Sequence, residues 1–356
     1  MATSIIRIVA MAAAVASLAT THEQPASARG ILGSGSLLHA HNCYPEDGAW
    51  PDRLDRALGT GLSRLAIEQD VAWAPGSAGK PGRSVVSHDA EVDGTEPTLE
   101  EHFFARLGPL MDRALAQPQL DQWPLVILHL DFKTTEPEHY RAVWNLLDQH
   151  RAWLTTAERV ADGTRVMPFR VGPLMVLTEN GIGQETAFSD RVPVGQSLLL
   201  FGTTPGPELP RSEDPELRAR ILATTTPAAL APWPATNYRR WTNFSWHVVE
   251  RGGQPRAGVW TPEDEARLRA IVNRAHAQGL WIRFYTLNGY SAAAGRGWSD
   301  GYNFGSADAV RERWQAAIKA GVNLVATDQY EDFARMLAPR RAGPGRRSLI
   351  RYRLET

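Results

Sequence analysis

Cysteine is nearly missing from this chain: Cys43 is the only one in 356 residues. No internal disulfide can form, so nothing covalent staples the fold. Net charge is also close to missing, at -1 near neutral pH. That argues against a nucleic-acid binder dominated by positive charge. There is no internal repeat and no clear linker between domains. The longest N-terminal apolar run, Ile8 to Ala19, is too short for a comfortable membrane span. What is present is a composition 43% hydrophobic and 22% charged. It can bury a sizeable core, as one large barrel or two ordinary domains.

The two ends read differently from the middle. Arg7, the alanine-rich run after it and the small residues Ala26-Ser27-Ala28 have the form of a secretory signal. The expected layout is a leader over 1–28, one barrel domain over 29–338 and a tail over 339–356, in a secreted protein. Arg340, Arg341, Arg346, Arg347, Arg351 and Arg353 make the tail basic. It reads as a solvated segment, with contact to a membrane surface as the alternative.

Between these ends, apolar runs keep ending in charge or imidazole. Leu37-Leu38-His39-Ala40-His41-Asn42 is the first, and Leu65-Ala66-Ile67-Glu68-Gln69-Asp70 the second. Ser84-Val85-Val86-Ser87-His88-Asp89 follows, then Leu125 through Lys133. On a strand, side chains alternate between faces, so Glu68 and Asp70 point one way, as do His129, Asp131 and Lys133. Further strands are expected over 172–178, 196–202, 243–249, 280–287 and 322–327. Helices are expected between them, with Thr98 and Thr261 as caps. Alternation of strand and helix favours an α/β fold, a (β/α)8 TIM barrel with its chemistry at one rim. The count is one strand above eight, so a segment between Gln196 and Val249 is expected either not to be a strand or to lie outside the ring.

Three carboxylates from neighbouring strand ends make an oxygen-rich cage suited to Mg²⁺ or Ca²⁺. Glu68, Asp70 and Asp131 are the expected metal ligands. Lys133 would set a point charge against an anionic substrate. His39 and His88 would divide acid and base work near neutral pH. A metal and a lysine stabilise charge on a phosphoryl group, so phosphodiester cleavage is the expected reaction. His41 is split between second-layer hydrogen bonding and substrate contact, and Tyr285 is a candidate contact at the barrel mouth. Cys43, beside the site, reads as a small buried filler. Trp233, Trp241, Trp246 and Trp260 read as packing, with an apolar lip for acyl chains as the alternative.

The same segments resemble glycerophosphodiester phosphodiesterases and sphingomyelinase D, within the phospholipase-C-like phosphodiesterase superfamily. The resemblance rests on His39 with Asn42, Glu68-Gln69-Asp70, Val85-Val86-Ser87-His88-Asp89, Asp131-Phe132-Lys133-Thr134, Tyr285-Thr286-Leu287-Asn288 and Gly321 through Asp328. It spans roughly His39 to Asp328, with a poorly matched middle. It implies a PLC-like barrel and a hydrolase acting on a glycerophosphodiester or phospholipid, with His39, His88 and Lys133 catalytic. It also implies a substrate contact at Asn42. The sequence departs from the glycerophosphodiesterase pattern at His39-Ala40-His41, where that family carries His-Arg-Gly. Two other readings stand beside it. One is a zinc hydrolase of the amidohydrolase or phosphatase type, drawing on the His-x-His segment and later histidines. The other is a non-catalytic barrel that binds a phosphorylated ligand.

Overall fold

The longest strand is β2, Leu65–Ala74, ten residues long. It lies parallel to β4, Val126–Phe132, in a register that sets Glu68 beside His129 and Asp70 beside Asp131. From β4 the pairing continues through β7 (Leu174–Thr178), β9 (Phe201–Thr203), β10 (Arg239–Ser245), β11 (Trp281–Tyr285) and β12 (Leu324–Thr327). Strand β1, Leu37–Ala40, joins β12 on one side and β2 on the other, both parallel. The ring of eight parallel strands therefore closes. The computed structural model describes residue 32 and residues 35–45, 50–76, 79, 81–207, 214–250, 258–294, 301 and 303–338. The expected leader and basic tail lie outside the described residues.

Helices cover the ring, among them α1 (Arg53–Leu58), α2 (Ala105–Ala116), α3 (Pro137–Gln149) and α4 (Pro215–Thr224). Further along come α5 (Pro227–Leu230), α6 (Pro262–Ala277), α7 (Ala307–Ala320) and α8 (Tyr330–Leu337). Both expected caps form. Thr261 and Asp264 make a reciprocal capping box at the start of α6. Thr98 and Glu101 exchange the same pair of bonds ahead of a wide turn, Glu100–Phe104, that leads into α2. One continuous core runs from strands to helices, with Trp241, Trp246, Trp281 and Trp314 among its fully buried side chains. Burying such residues is the main favourable term in folding.

The sequence places the surplus between Gln196 and Val249, and there Ser197–Leu198 does leave the ring for a small side sheet. Both β9 and β10 belong to the ring. The expected strand that lies wholly outside it is β3, Arg83–Val86, which runs antiparallel against Val71 to Ala74. Strand β2 is long enough to overshoot the ring, and its free length pairs with β3 as a hairpin. Strand β10 also begins earlier than expected, at Arg239. It stops at Ser245, whose hydroxyl caps a tight turn over Trp246–Val248. A small sheet of β6 (Phe169–Arg170), β5 (Thr156–Glu158) and β8 (Ser197–Leu198) lies beside the ring; β8 falls within the expected strand 196–202, and β5 and β6 have no counterpart in the sequence reading.

Candidate functional site

In a parallel ring all strands end on one face, and side chains from different strands converge there. The convergence here is dense in charge. Strand β2 brings Glu68 and Asp70, β4 brings His129 and Asp131, and β1 brings His39, with His41 and Asn42 just past its end. Three contributions were not assigned a role from the sequence: Arg283 of β11, Glu179 after β7 and Asp328 after β12. Each carried a signal. Glu179 and Asp328 follow directly on apolar strands, and Arg283 shares the parity of Tyr285.

Arg283 is buried to within 2% of its surface and forks three ways. Its Nε donates to His39 Nδ1 at 2.6 Å, Nη2 to Glu68 Oε1 at 2.9 Å, and Nη1 to Asn243 Oδ1 at 3.1 Å. Burial alone would raise the Glu68 pKa. Arg283 first, then His41 and His129, outweigh it and hold the carboxyl well below its ordinary range. Burial, with Arg283 alongside, holds His39 neutral, its pKa well below the usual imidazole value. With Nδ1 accepting from Arg283, the ring proton of neutral His39 sits on Nε2, which is buried without a hydrogen-bond partner.

His129 lies between two acids, its Nδ1 3.3 Å from Glu68 and its Nε2 3.0 Å from Glu179. Both oxygens are within ion-pair reach but off the axis of a hydrogen bond. Burial opposes its charge, yet Glu179 and Glu68 raise its pKa to about 9. Glu179 is steadied in turn by Asn243 Nδ2 at 2.8 Å.

Nearer the rim, Lys133 Nζ lies 2.8 Å from both Asp70 and Asp131. Asp70 also accepts from the Tyr44 hydroxyl at 2.5 Å and pairs with His88 at 2.8 Å. Burial raises the Asp70 pKa; His88 pulls against it, and Asp131 and Glu68 add to the rise. His88 is the most open member, with 44% of its side chain exposed. His41 pairs with Asp328 at 2.8 Å and stacks near Tyr285. Asn42 has φ of 49° and Thr286 has φ of 69°. Two non-glycine residues in the left-handed region, each within two residues of a strand end, mark a rim built at some cost in backbone strain. Cys43 is fully buried, and burial pushes its thiol up to about 12, so it is not a ready nucleophile.

Among the described residues, two groups have donors close enough together to hold a metal ion: His39, Glu68 and His129, and Glu68, Asp70 and Asp131. They share Glu68 and differ in fit. A metal on His39 would have to displace the Arg283 guanidinium, because one ring nitrogen is taken and the other carries the proton. The all-carboxylate group offers oxygen donors suited to a hard cation, although Arg283 holds Glu68, and Lys133, His88 and Tyr44 hold Asp70.

No family model matches the sequence, and no curated protein matches it. Among solved structures, the Xanthomonas albilineans dihydropteroate synthase matches at 16% identity and a TM-score of 0.34, covering 86% of this chain and 92% of that one. The Plasmodium falciparum HPPK-DHPS matches at 11% identity and a TM-score of 0.36, covering 86% and 47%. At these values the likeness carries no function to this chain.

The barrels returned here are dihydropteroate synthases, not phospholipase-C-like phosphodiesterases. The expected family, the PLC-like subtype of the barrel, and phosphodiester cleavage of a glycerophosphodiester or phospholipid are corrected accordingly. In this arrangement His39 is 0% exposed and engaged by Arg283. Of the four tryptophans, Trp241 and Trp246 are sealed in the core as packing, while Trp233 is 52% exposed. Among the described residues no helix is long and apolar enough to cross a membrane.

Proposed function

We propose that this barrel binds a small phosphorylated molecule at its C-terminal rim through a divalent cation held by Glu68, Asp70 and Asp131. One observation carries the reading: an oxygen from each of the three carboxylates lies within 4.8 Å of the others. Carboxylates packed so closely repel one another and call for a compensating cation. Arg283 answers Glu68, while Lys133 is shared between Asp70 and Asp131, with the more open His88 beside Asp70. The all-oxygen donor set favours Mg²⁺ or Ca²⁺ over zinc. Such an ion supplies a Lewis acid to which a phosphate oxygen can bind. With the two aspartates neutralised, Lys133 becomes available to a second phosphate oxygen. His88, oriented by Asp70, is placed to donate to the same oxyanion. Asn42 offers its backbone N–H to Glu68 Oε2 at 3.1 Å and so fixes the ligand-bearing carboxylate. His41 and Tyr285 line the approach.

Calorimetric titration of the full chain with Mg²⁺, Ca²⁺, Zn²⁺ and inorganic phosphate tests this. The expected result is that Mg²⁺ or Ca²⁺ binds and that phosphate binds only in its presence. Asp131→Asn, at a partly exposed position, is expected to weaken the ion roughly tenfold or more. Phosphate binding that is indifferent to the ion would remove the cation from the reading. Preferential zinc binding abolished by His129→Ala would move the metal to the histidine group.

A further inference from the structure

A ligand anchored at the cation has to place the rest of its body, and one cavity adjoins the cation site through Asp131. It measures about 320 Å³ and opens beside the ends of β4, β7, β9 and β10. That is at the small end of the range for small-molecule sites. Asp131, Glu179, Thr203, Thr242 and Asn243 line it, and Phe132 is the one large apolar side chain among the lining residues.

The chemistry of that wall is selective. Glu179 is an acceptor only, and its Oε1 already takes the Asn243 amide, which leaves Oε2 to accept from a ligand. The Asn243 amide is fixed between Glu179 and Arg283, so the wall is set before a ligand arrives. The Thr203 hydroxyl donates to the Thr204 carbonyl and is left to accept, while the Thr242 hydroxyl can give or accept. An acyl chain in this space would leave Glu179 Oε2 and the remaining sites of the threonine hydroxyls without water, which is costly. A body carrying several hydroxyls would satisfy them. We infer that the phosphorylated ligand is of the sugar or polyol class, with its hydroxyls against Glu179, Thr203 and Thr242. The inference rests on the phosphate-binding reading above and narrows it.

The test is titration of the full chain, with Mg²⁺ present, against a hexose 6-phosphate, n-butyl phosphate and inorganic phosphate. The hexose phosphate is expected to bind roughly tenfold or more tighter than butyl phosphate, because only it pairs the polar wall. Thr242→Val, a change of one hydroxyl for a methyl, is expected to erase most of that gap and leave inorganic phosphate unchanged. Thr203→Val serves as the second variant if the first does not fold. Butyl phosphate binding as tightly as the sugar phosphate would overturn the sugar assignment while leaving the phosphate reading intact. No binding by any of the three would remove both.

Discussion

Arg283 is the side chain around which the interior charges are arranged. A guanidinium is planar and stays charged, so it can bond His39, Glu68 and Asn243 from one fixed fork. Neither a lysine nor an apolar residue could make those three contacts. Removing one member of a buried ion pair leaves the other charged and unpaired, which costs about 3–5 kcal/mol. Arg283→Met is therefore expected to lower unfolding stability by about that amount. Urea unfolding of the variant against the native chain measures it. A loss below about 1 kcal/mol would mean that Glu68 finds its compensation elsewhere. The same argument explains why a residue without an assigned role matters more to the site than several that were assigned one.

At the scale of elements, His139 joins parts of the fold that are distant in sequence. It sits on α3, with Nε2 2.9 Å from Ser84 of β3 and Nδ1 2.7 Å from Thr134. The Thr134 hydroxyl also accepts the backbone N–H of Trp73 on the overshooting end of β2. Hairpin and helix are thus pinned through one imidazole. Burial pushes its pKa down to about 3. The unfolded chain binds that proton near pH 6.5, the folded one only near pH 3. The stabilisation is therefore full above pH 6.5 and drains away as pH falls towards 3, by up to about 1.4 kcal/mol per unit. His139→Gln has no such proton to take up. Its stability deficit against the native chain is expected to shrink between pH 7 and pH 5, as read by urea unfolding at both values. A deficit that stays constant would sink the assignment.

The whole molecule is a closed ring, and closure couples its rim to global stability. Glu68, Asp70 and Asp131 come from β2 and β4, adjacent strands in the ring. A cation binding there favours the folded chain by mass action, about 2.7 kcal/mol at a hundredfold excess over Kd. In a chain of this size that amounts to several degrees in Tm. Thermal unfolding with rising Mg²⁺ or Ca²⁺ is expected to climb logarithmically with the ion, and to stay flat in Asp131→Asn. An equal climb in that variant would place the ion away from the rim.

The sequence determined the parts that depend on local order. Alternation along β2 and β4 put the acids on one face, because side-chain direction on a strand has period two. The caps at Thr98 and Thr261 were legible because a capping box is written in four consecutive residues. The order of strands and helices was enough for a barrel, though not for which strand stands outside it. That depends on how far β2 overshoots before it meets β3. Tertiary structure alone decided that Arg283 reaches His39 across 244 positions of sequence and closes it off. It also set Glu179 beside His129 and opened a polar cavity where four strand ends meet. Contacts of this kind follow from ring closure, and no spacing along the chain records them.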